Sequence, residues 1–397
     1  MKILVIGKYP PIQGGVSIDT FWTTQTFAEM GHDVSVLTSA DEVEEEYRVE
    51  LNEENRKLLS GFRKLNSIRV YSTCVDSNHK YVPQGNPIVS KLVSAGLDII
   101  EESKPDFIWS FYLEPFGVAT LFLHLMTGVP YTVRHAGTDF GRLFRTKQLE
   151  RMYAEVFRKA LIVFSKKKHH HEMHKIGVRQ DQLIEPVSPR LPGDIFYSTP
   201  MPNMLKGFRL GVYGKVGPAK GTEQLIHALA RLRDEKFPVS LNAYWGGRGK
   251  EKYFQLIRDL RLKEPYLTVS PFIPQWEIAD FIRSVHAIAF LENKFHISFH
   301  APGVPLEINS CGRIIITTTE IAEKNRLNRV VEDGVTACVV SADPLRTDDV
   351  VSAIKRASKM VGDGMEIPDE RVFDASLFSA QVHSKLAEHL REIAKRI

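Results

Sequence analysis

Six short apolar runs mark the first half of the chain: Ile3–Ile6, Val34–Leu37, Ile68–Tyr71, Phe107–Phe111, Tyr131–Val133 and Leu161–Phe164. They are continuous rather than alternating, which is the pattern of strands buried on both faces of a parallel sheet. Longer stretches of helical period separate them. After residue 202 the alternation restarts with "FRLGVYG", then Leu225, Ile226, Leu229 and Leu232 at helical spacing, then "VSLNAYW", "AIAFL" and "RIIITT". The chain is therefore expected to be α/β, with two Rossmann-like, doubly wound parallel-sheet domains in tandem. Ligands of such sheets lie beyond the carboxyl ends of the strands, so two facing domains would enclose a deep cleft.

The break between the halves is compositional. Prolines at 186, 189, 192, 200 and 202 fix φ and remove backbone donors, as suits a linker. This divides the chain into a first domain over 1–186, a linker over 187–202 and a second domain over 203–374. The tail "SLFSAQVHSKLAEHLREIAKRI" is amphipathic with a basic last turn, and a closing helix over 375–397 that packs back on the first domain is expected. A length of 397 residues agrees with two cores rather than one.

Composition narrows the function classes without choosing one. Apolar residues make up 43% and charged residues 25%, the balance of a globular protein. The 52 basic and 48 acidic residues leave a net charge of +4, too even for a dedicated nucleic-acid binder, so no nucleic-acid partner is expected. Cys74, Cys311 and Cys338 form no close pair, which disfavours a disulfide framework or a zinc knuckle and suits a reducing cytoplasm. The stretch "FIWSFYLEPFGVATLFLHLMTGVPYTV" is interrupted by Glu114, Pro115, His124 and Pro130, so no transmembrane helix is expected. The first residues lack a signal-peptide pattern, and a cytoplasmic location follows as the expectation. The segment "ADEVEEEYRVELNEENRKLLSGFRKL" reads as a solvated helical insertion, with an acceptor lid as the other reading.

Three places carry candidate chemistry. Gly14 and Gly15 follow the first strand after an eight-residue loop and open a helical segment with Ile18, Phe21, Trp22 and Phe27 near one face. The spacing does not fit the G-x-G-x-x-G dinucleotide fingerprint, but bare amides at a helix start can meet an anion. In "GKVGPAKG", Lys215 and Lys220 flank a strand-to-helix turn and could face a diphosphate or simply solvent. His135 in "YTVRHAGTDF" projects from a strand end, as either a functional or a structural residue. The basic run "KKKHHHEMHKIG" misses the H-E-x-x-H spacing, because residue 175 is Lys. It reads as a solvated basic helix, or as a surface for peripheral contact with an anionic membrane or acceptor. No metal site, nucleophile elbow or Walker loop is expected.

Several of these stretches, taken in order, resemble one family. "KYPPIQGGVSIDTFWTTQTFAEMGHDVSVLTS", "PDFIWSFYLEPFGVATLFLHLMTGVPYTVRHAGTDF", "VYGKVGPAKGTEQLIHALARL", "PLEINSCGRIIITTTE" and "VVEDGVTACVV" are similar to the retaining nucleotide-sugar glycosyltransferases of GT-B architecture, family four. The resemblance implies transfer of a sugar from a nucleoside-diphosphate sugar to an acceptor glycan, lipid-linked sugar or small molecule, with no cofactor and no metal. A location at the inner face of the membrane would fit such acceptors. It also implies that Lys215 and Lys220 grip the leaving diphosphate, Lys215 standing where the family usually has Arg. His135 would contact the donor sugar, and Asp139 would support its loop or meet the acceptor. Gly14 and Gly15 would offer amides to the diphosphate, as would Gly303 and Val304. Phe272 and Ile273 in "SPFIP" would read the base with backbone groups, and Glu307 would hold the ribose. The family's other glutamate, eight positions before Glu307, is Phe299 here, leaving Glu292, His296 or His300 as substitutes. A non-catalytic sugar-nucleotide binder, an epimerase and an inverting transferase remain the alternatives.

Overall fold

The computed structural model describes residues 1–62, 68–75, 85–187, 191–205, 207–295, 302–325 and 330–397. The chain divides into two compact units, Met1–Arg190 with Ala380–Ile397, and Leu191–Ser379.

The first unit runs β1 (Lys2–Gly7), α1 (Gly15–Glu29), β2 (Asp33–Thr38), α2 (Glu53–Gly61), β3 (Ile68–Ser72), α3 (Ile88–Ser103), β4 (Phe107–Phe111), α4 (Val118–Thr127), β5 (Tyr131–Arg134), α5 (Glu150–Lys159), β6 (Ile162–Phe164), α6 (His170–Lys175) and β7 (Leu183–Ile184). Its seven strands lie in the order β3-β2-β1-β4-β5-β6-β7, and every pairing is parallel. Residues Ile3 to Gly7 of β1 are all buried, as continuous apolar strands covered on both faces must be.

The second unit runs β8 (Phe208–Lys215), α7 (Thr222–Asp234), β9 (Val239–Gly246), α8 (Lys250–Asp259), β10 (Leu267–Ser270), α9 (Gln275–Ser284), β11 (Ala287–Phe290), α10 (Val304–Ser310), β12 (Ile314–Thr318), α11 (Thr319–Asn325), β13 (Ala337–Val340) and α12 (Thr347–Gly362). Its sheet has the order β10-β9-β8-β11-β12-β13, again all parallel. The last helix, α13 (Ala375–Arg396), starts in the second unit and from Ala380 onward belongs to the first. There His389 packs on Phe164 with ring centres 4.9 Å apart, and Arg396 Nη1 donates to the Asp181 carbonyl at 2.7 Å.

All ten strands read from the apolar pattern are present within a residue or two of their expected ends. The pattern did not single out β7, β10 and β13, short strands that stand at sheet edges. Helix α1 departs from a simple amphipathic reading. Phe21, Trp22 and Phe27 are buried, but so are Thr20, Thr24 and Thr26, whose hydroxyls donate to carbonyls four residues back. That local bonding lets a threonine-rich helix be buried almost all round.

The proline-rich stretch expected as a linker is packed from Leu191 onward. Leu191 and Phe196 lie in the core of the second unit, beside Ile278 and Ile282. Arg313, 1% exposed, clamps the following residues: Nη1 donates to the Thr199 carbonyl at 2.8 Å, and Nη2 donates to Thr199 Oγ1 at 2.9 Å and to the Arg283 carbonyl at 2.8 Å. Losing a buried donor strands its acceptors away from water, at about 1–3 kcal/mol for each group. Arg313→Met is expected to lower unfolding stability by at least about 3 kcal/mol on that basis. Denaturant unfolding of the full chain checks this, and a loss under about 1 kcal/mol would show that the clamp is dispensable.

Candidate functional site

The candidate residues fall into one group in each unit. In the first, the loop from β1 to α1 is held from outside. Gln13 N–H donates to the Tyr47 carbonyl at 2.8 Å, Val49 N–H donates to the Pro11 carbonyl at 2.8 Å, and the Tyr9 hydroxyl donates to the Leu59 carbonyl at 2.8 Å. Phe62 closes the contact, its ring 5.2 Å from Trp22 and 5.8 Å from Phe21. The charged segment expected as a solvated insertion is thus a brace for the glycine loop. Most of its charged side chains face water, but the Glu42 side chain is buried against Lys91 and Asn55 is buried as well, while backbone and aromatic contacts face the loop.

Within that loop Gly14 has φ 131 and ψ 163, a conformation that a side chain would strain. Gly15, exposed at the first position of α1, has open space where a Cβ would lie. One turn further, Asp19 makes an ion pair with Arg134 at 2.7 Å, and the pair is almost completely buried. Arg134 also lies over the Phe111 ring, 4.5 Å from its centre. The start of α1 is therefore tied to the residue that immediately precedes His135.

His135 sits just past β5 with both ring nitrogens engaged. Nε2 is 2.9 Å from Ser165 Oγ, and Nδ1 is 3.4 Å from the Ala136 carbonyl. Its ring packs against Phe140 and His169, with centres 5.1 and 5.7 Å away. Burial, reinforced by His169 and nearby cations, pushes its pKa down to about 3, so the ring is neutral. Asp139 is wholly buried, and its Oδ2 accepts the Ala136 N–H at 2.8 Å, closing the turn beneath His135. Burial raises its pKa to about 7, against the pull of the Ala136 and Leu113 amides and of Lys8.

The basic histidine run, expected as a solvated helix, is partly turned inward. His169 is buried against Phe140, with ring centres 4.6 Å apart. His170 Nε2 donates to the Ser165 carbonyl at 3.0 Å, and His174 Nδ1 to the Val178 carbonyl at 2.9 Å. These histidines are spent on backbone caps. Among the described residues no group of three or more His, Cys, Asp or Glu side chains is placed to share a metal ion.

In the second unit Lys215 ends β8, exposed, and Lys220 closes the short turn that leads into α7. Gly221 follows with φ 63, and a Cβ there would stand 2.7 Å from that of Leu291. Lys220 Nζ pairs with the fully buried Glu292 carboxylate just beyond β11, and its ammonium lies 5.1 Å from the centre of the Phe295 ring. Glu292, one of the substitutes considered for the glutamate missing at 299, thus has its Oε2 paired with Lys220. Phe299, His296 and His300 lie outside the described residues.

Glu307, on α10, accepts the Tyr213 hydroxyl at Oε2 (2.7 Å) and Gln275 Nε2 at Oε1 (2.6 Å). Burial raises its pKa above the usual carboxylate range, and the two donors offset part of this. Gly303 and Val304 open the same helix, with open space where a Cβ on Gly303 would lie. Phe272 is buried, its ring packed so that a Cβ on Gly246 would lie 2.6 Å from it, and Ile273 is half-buried. Tyr213, Gln275 and the Lys220–Glu292 pairing were not read from the sequence. Tyr213 stands two residues before Lys215 on a strand whose burial pattern made it look like core.

No protein-family model matches the chain, and no curated protein matches it in sequence. Known structures match it end to end. HepE of Anabaena in complex with UDP-glucose is 16% identical, with 99% of this chain and 100% of that chain covered and a TM-score of 0.65. Sucrose-phosphate synthase of Thermosynechococcus elongatus is 13% identical, with coverages of 100% and 98% and a TM-score of 0.60. WaaG, a glycosyltransferase involved in lipopolysaccharide biosynthesis, is 15% identical, with 98% of each chain covered and a TM-score of 0.60. The fold class is GT-B, two Rossmann-like parallel-sheet domains, as expected from the apolar pattern and the resemblance.

His135 and Asp139 pull stability in opposite directions with pH. His135 has a folded pKa below its ordinary 6.5, so its contribution is intact above 6.5 and is lost as pH falls toward 3. Asp139 has a folded pKa above its ordinary 3.8, so its contribution is intact below 3.8 and is lost as pH rises through about 7. Asp139→Asn keeps an acceptor for the Ala136 N–H and removes the second slope. The variant is expected to melt higher than the wild type at pH 8, with the margin shrinking as pH is lowered toward 4. Melting curves across this range check the sign; a lower melting point at pH 8 would contradict it.

Proposed function

We propose that this chain is a glycosyltransferase that moves a hexosyl group from a nucleoside-diphosphate sugar to an acceptor with retention of anomeric configuration. The observation that carries the reading is the β8–α7 turn. It delivers Lys215 and Lys220 to the carboxyl end of the strand at which the second sheet reverses its winding, between β8 and β11. Such reversals hold ligands in doubly wound sheets. The end-to-end likeness to HepE bound to UDP-glucose supports a nucleotide sugar as the ligand.

When the glycosyl bond breaks, negative charge builds on the departing diphosphate. Fixed cations there stabilise the transition state more than the bound substrate. Glu292, itself buried, pairs with the partly exposed Lys220 ammonium and orients it before any ligand arrives. Glu307, aligned by Tyr213 and Gln275, keeps further lone pairs with which to accept ribose hydroxyls. In this reading Phe272 and Ile273 face the base, and Gly303 and Val304 the phosphates. Within the first unit, the Gly14 and Gly15 amides are assigned to a phosphate and a neutral His135 to a sugar, with Asp139 as the support of the His135 loop. The chemistry calls for no cofactor and no metal. Cys311 and Cys338 are buried free thiols and Cys74 an exposed one, which suits the cytoplasm. Among the described residues no helix is long and apolar enough to cross a membrane, and the acceptor is a glycan, a lipid-linked sugar or a small molecule.

The Lys220–Glu292 pair also favours a second reading, a protein that binds sugar nucleotides without turning them over, because the pair already neutralises one of the two cations. A donor panel separates the two. Ligand at a hundredfold excess over its Kd stabilises the native state by about 2.7 kcal/mol. One of the UDP-, GDP- or ADP-sugars is therefore expected to raise the melting temperature, and acceptor-dependent release of the nucleoside diphosphate is expected to follow. Lys220→Ala is expected to lower turnover by about 100-fold or more and, because it strands the buried Glu292 carboxylate, to cost about 3–5 kcal/mol of apo stability, so circular dichroism checks that the variant assayed is folded. A panel with no stabilising donor would overturn both readings, binding without release would favour the second, and donor isomerisation would point to an epimerase.

A further inference from the structure

The first sheet reverses its winding between β1 and β4, and two side chains stand at that crevice with no role in the site above. Lys8 directly follows β1 and Tyr112 directly follows β4. Lys8 Nζ is 3.9 Å from the centre of the Tyr112 ring. The lysine is half-buried, and among the described residues no carboxylate lies within ion-pair distance of its ammonium.

Tyr112 holds a backbone that side chains avoid, with φ 85 and ψ 134. Conformations of this kind cost about 1–3 kcal/mol and persist only where the surroundings enforce them. Here the Tyr112 N–H donates to the Arg134 carbonyl at 3.0 Å, and its carbonyl accepts the Gly117 N–H at 2.9 Å. From this backbone the Tyr112 ring stands against the Lys8 ammonium.

Two carboxyls of the neighbouring loops have partners of their own. Glu114 accepts the Tyr153 hydroxyl at 3.2 Å, and Asp139 accepts the Ala136 N–H. Burial pulls the Lys8 pKa below its ordinary value, with Asp139 only partly offsetting this. At the Tyr112 hydroxyl, which is hydrogen-bonded to Thr138, the negative potential of Asp139 is opposed in part by the exposed Arg142. A desolvated cation with no counter-ion is stabilised by an arriving anion.

We infer that Lys8 and Tyr112 form an anion subsite in the β1–β4 crevice, which takes a phosphate or carboxylate group carried by the sugar acceptor. That the anion belongs to the acceptor rests on the glycosyltransferase reading; the preference for an anion does not. Calorimetric titration of the full chain with glucose 6-phosphate, glucuronate and glucose tests it, with UDP titrated in parallel. At least one anionic sugar is expected to bind ten times more tightly than glucose, and which of the two does so separates phosphate from carboxylate. Lys8→Met is expected to abolish that preference while UDP affinity stays within twofold of wild type. Lys8→Arg, which keeps the charge, is expected to retain it and covers the case in which the methionine variant folds poorly. Equal binding of all three sugars by the wild type, an undiminished preference in Lys8→Met, or loss of the preference in a folded Lys8→Arg protein would overturn the subsite. Failure of UDP to bind the wild type would overturn the glycosyltransferase reading and leave the anion preference measurable by itself.

Discussion

A strand covered on both faces can satisfy its backbone only through neighbouring strands, and all thirteen strands described here are paired in parallel. Parallel neighbours require long crossovers, and these carry the chain back past the sheet so that every strand in a unit ends on the same edge. That constraint puts the residues after β1, β4 and β5 together in the first unit, and those after β8 and β11 together in the second. Lys8, Tyr112 and His135 share an edge for this reason, as do Lys220 and Glu292. The rest of the candidate chemistry depends on it.

Charge gathered at buried strand ends must be neutralised or partnered, and each unit does this locally. Asp19 and Arg134 pair beside β5, Glu292 takes Lys220 beyond β11, and Arg313 is spread over backbone carbonyls. Breaking one partner of such a pair leaves an uncompensated charge, typically at about 3–5 kcal/mol. Lys8 differs, since its ammonium lies over the Tyr112 ring and a π face compensates a cation only weakly. Lys220 is thus a cation aligned by a buried carboxylate, and Lys8 one whose charge is only weakly compensated.

The apolar runs were a reliable guide to the sheets because burial on both faces leaves a continuous signature that needs no partner to be recognised. They failed at β7, β10 and β13, short edge strands that are less completely covered. The candidate site was legible where glycine and lysine punctuate a strand-to-helix turn, as at Gly14–Gly15 and Lys215–Lys220. It was not legible at Tyr213, Gln275 or Tyr112. Tyr213 and Gln275 look like core or helix-start residues until Glu307 is seen between them, and no side-chain pattern announces a positive φ at Tyr112.

By itself the sequence determined the class of fold, the proline-rich break between its halves and the positions of the glycine and lysine turns, because these follow from periodicity and from residues with restricted or permissive backbones. Tertiary structure alone decided what each polar group meets. It made the charged segment after Ser39 a brace for the glycine loop rather than a solvated insertion, turned His169 inward, and committed Glu292 to Lys220. Pairings between residues dozens of positions apart depend on which strand ends the crossovers bring to one edge, and no local pattern in the chain records that.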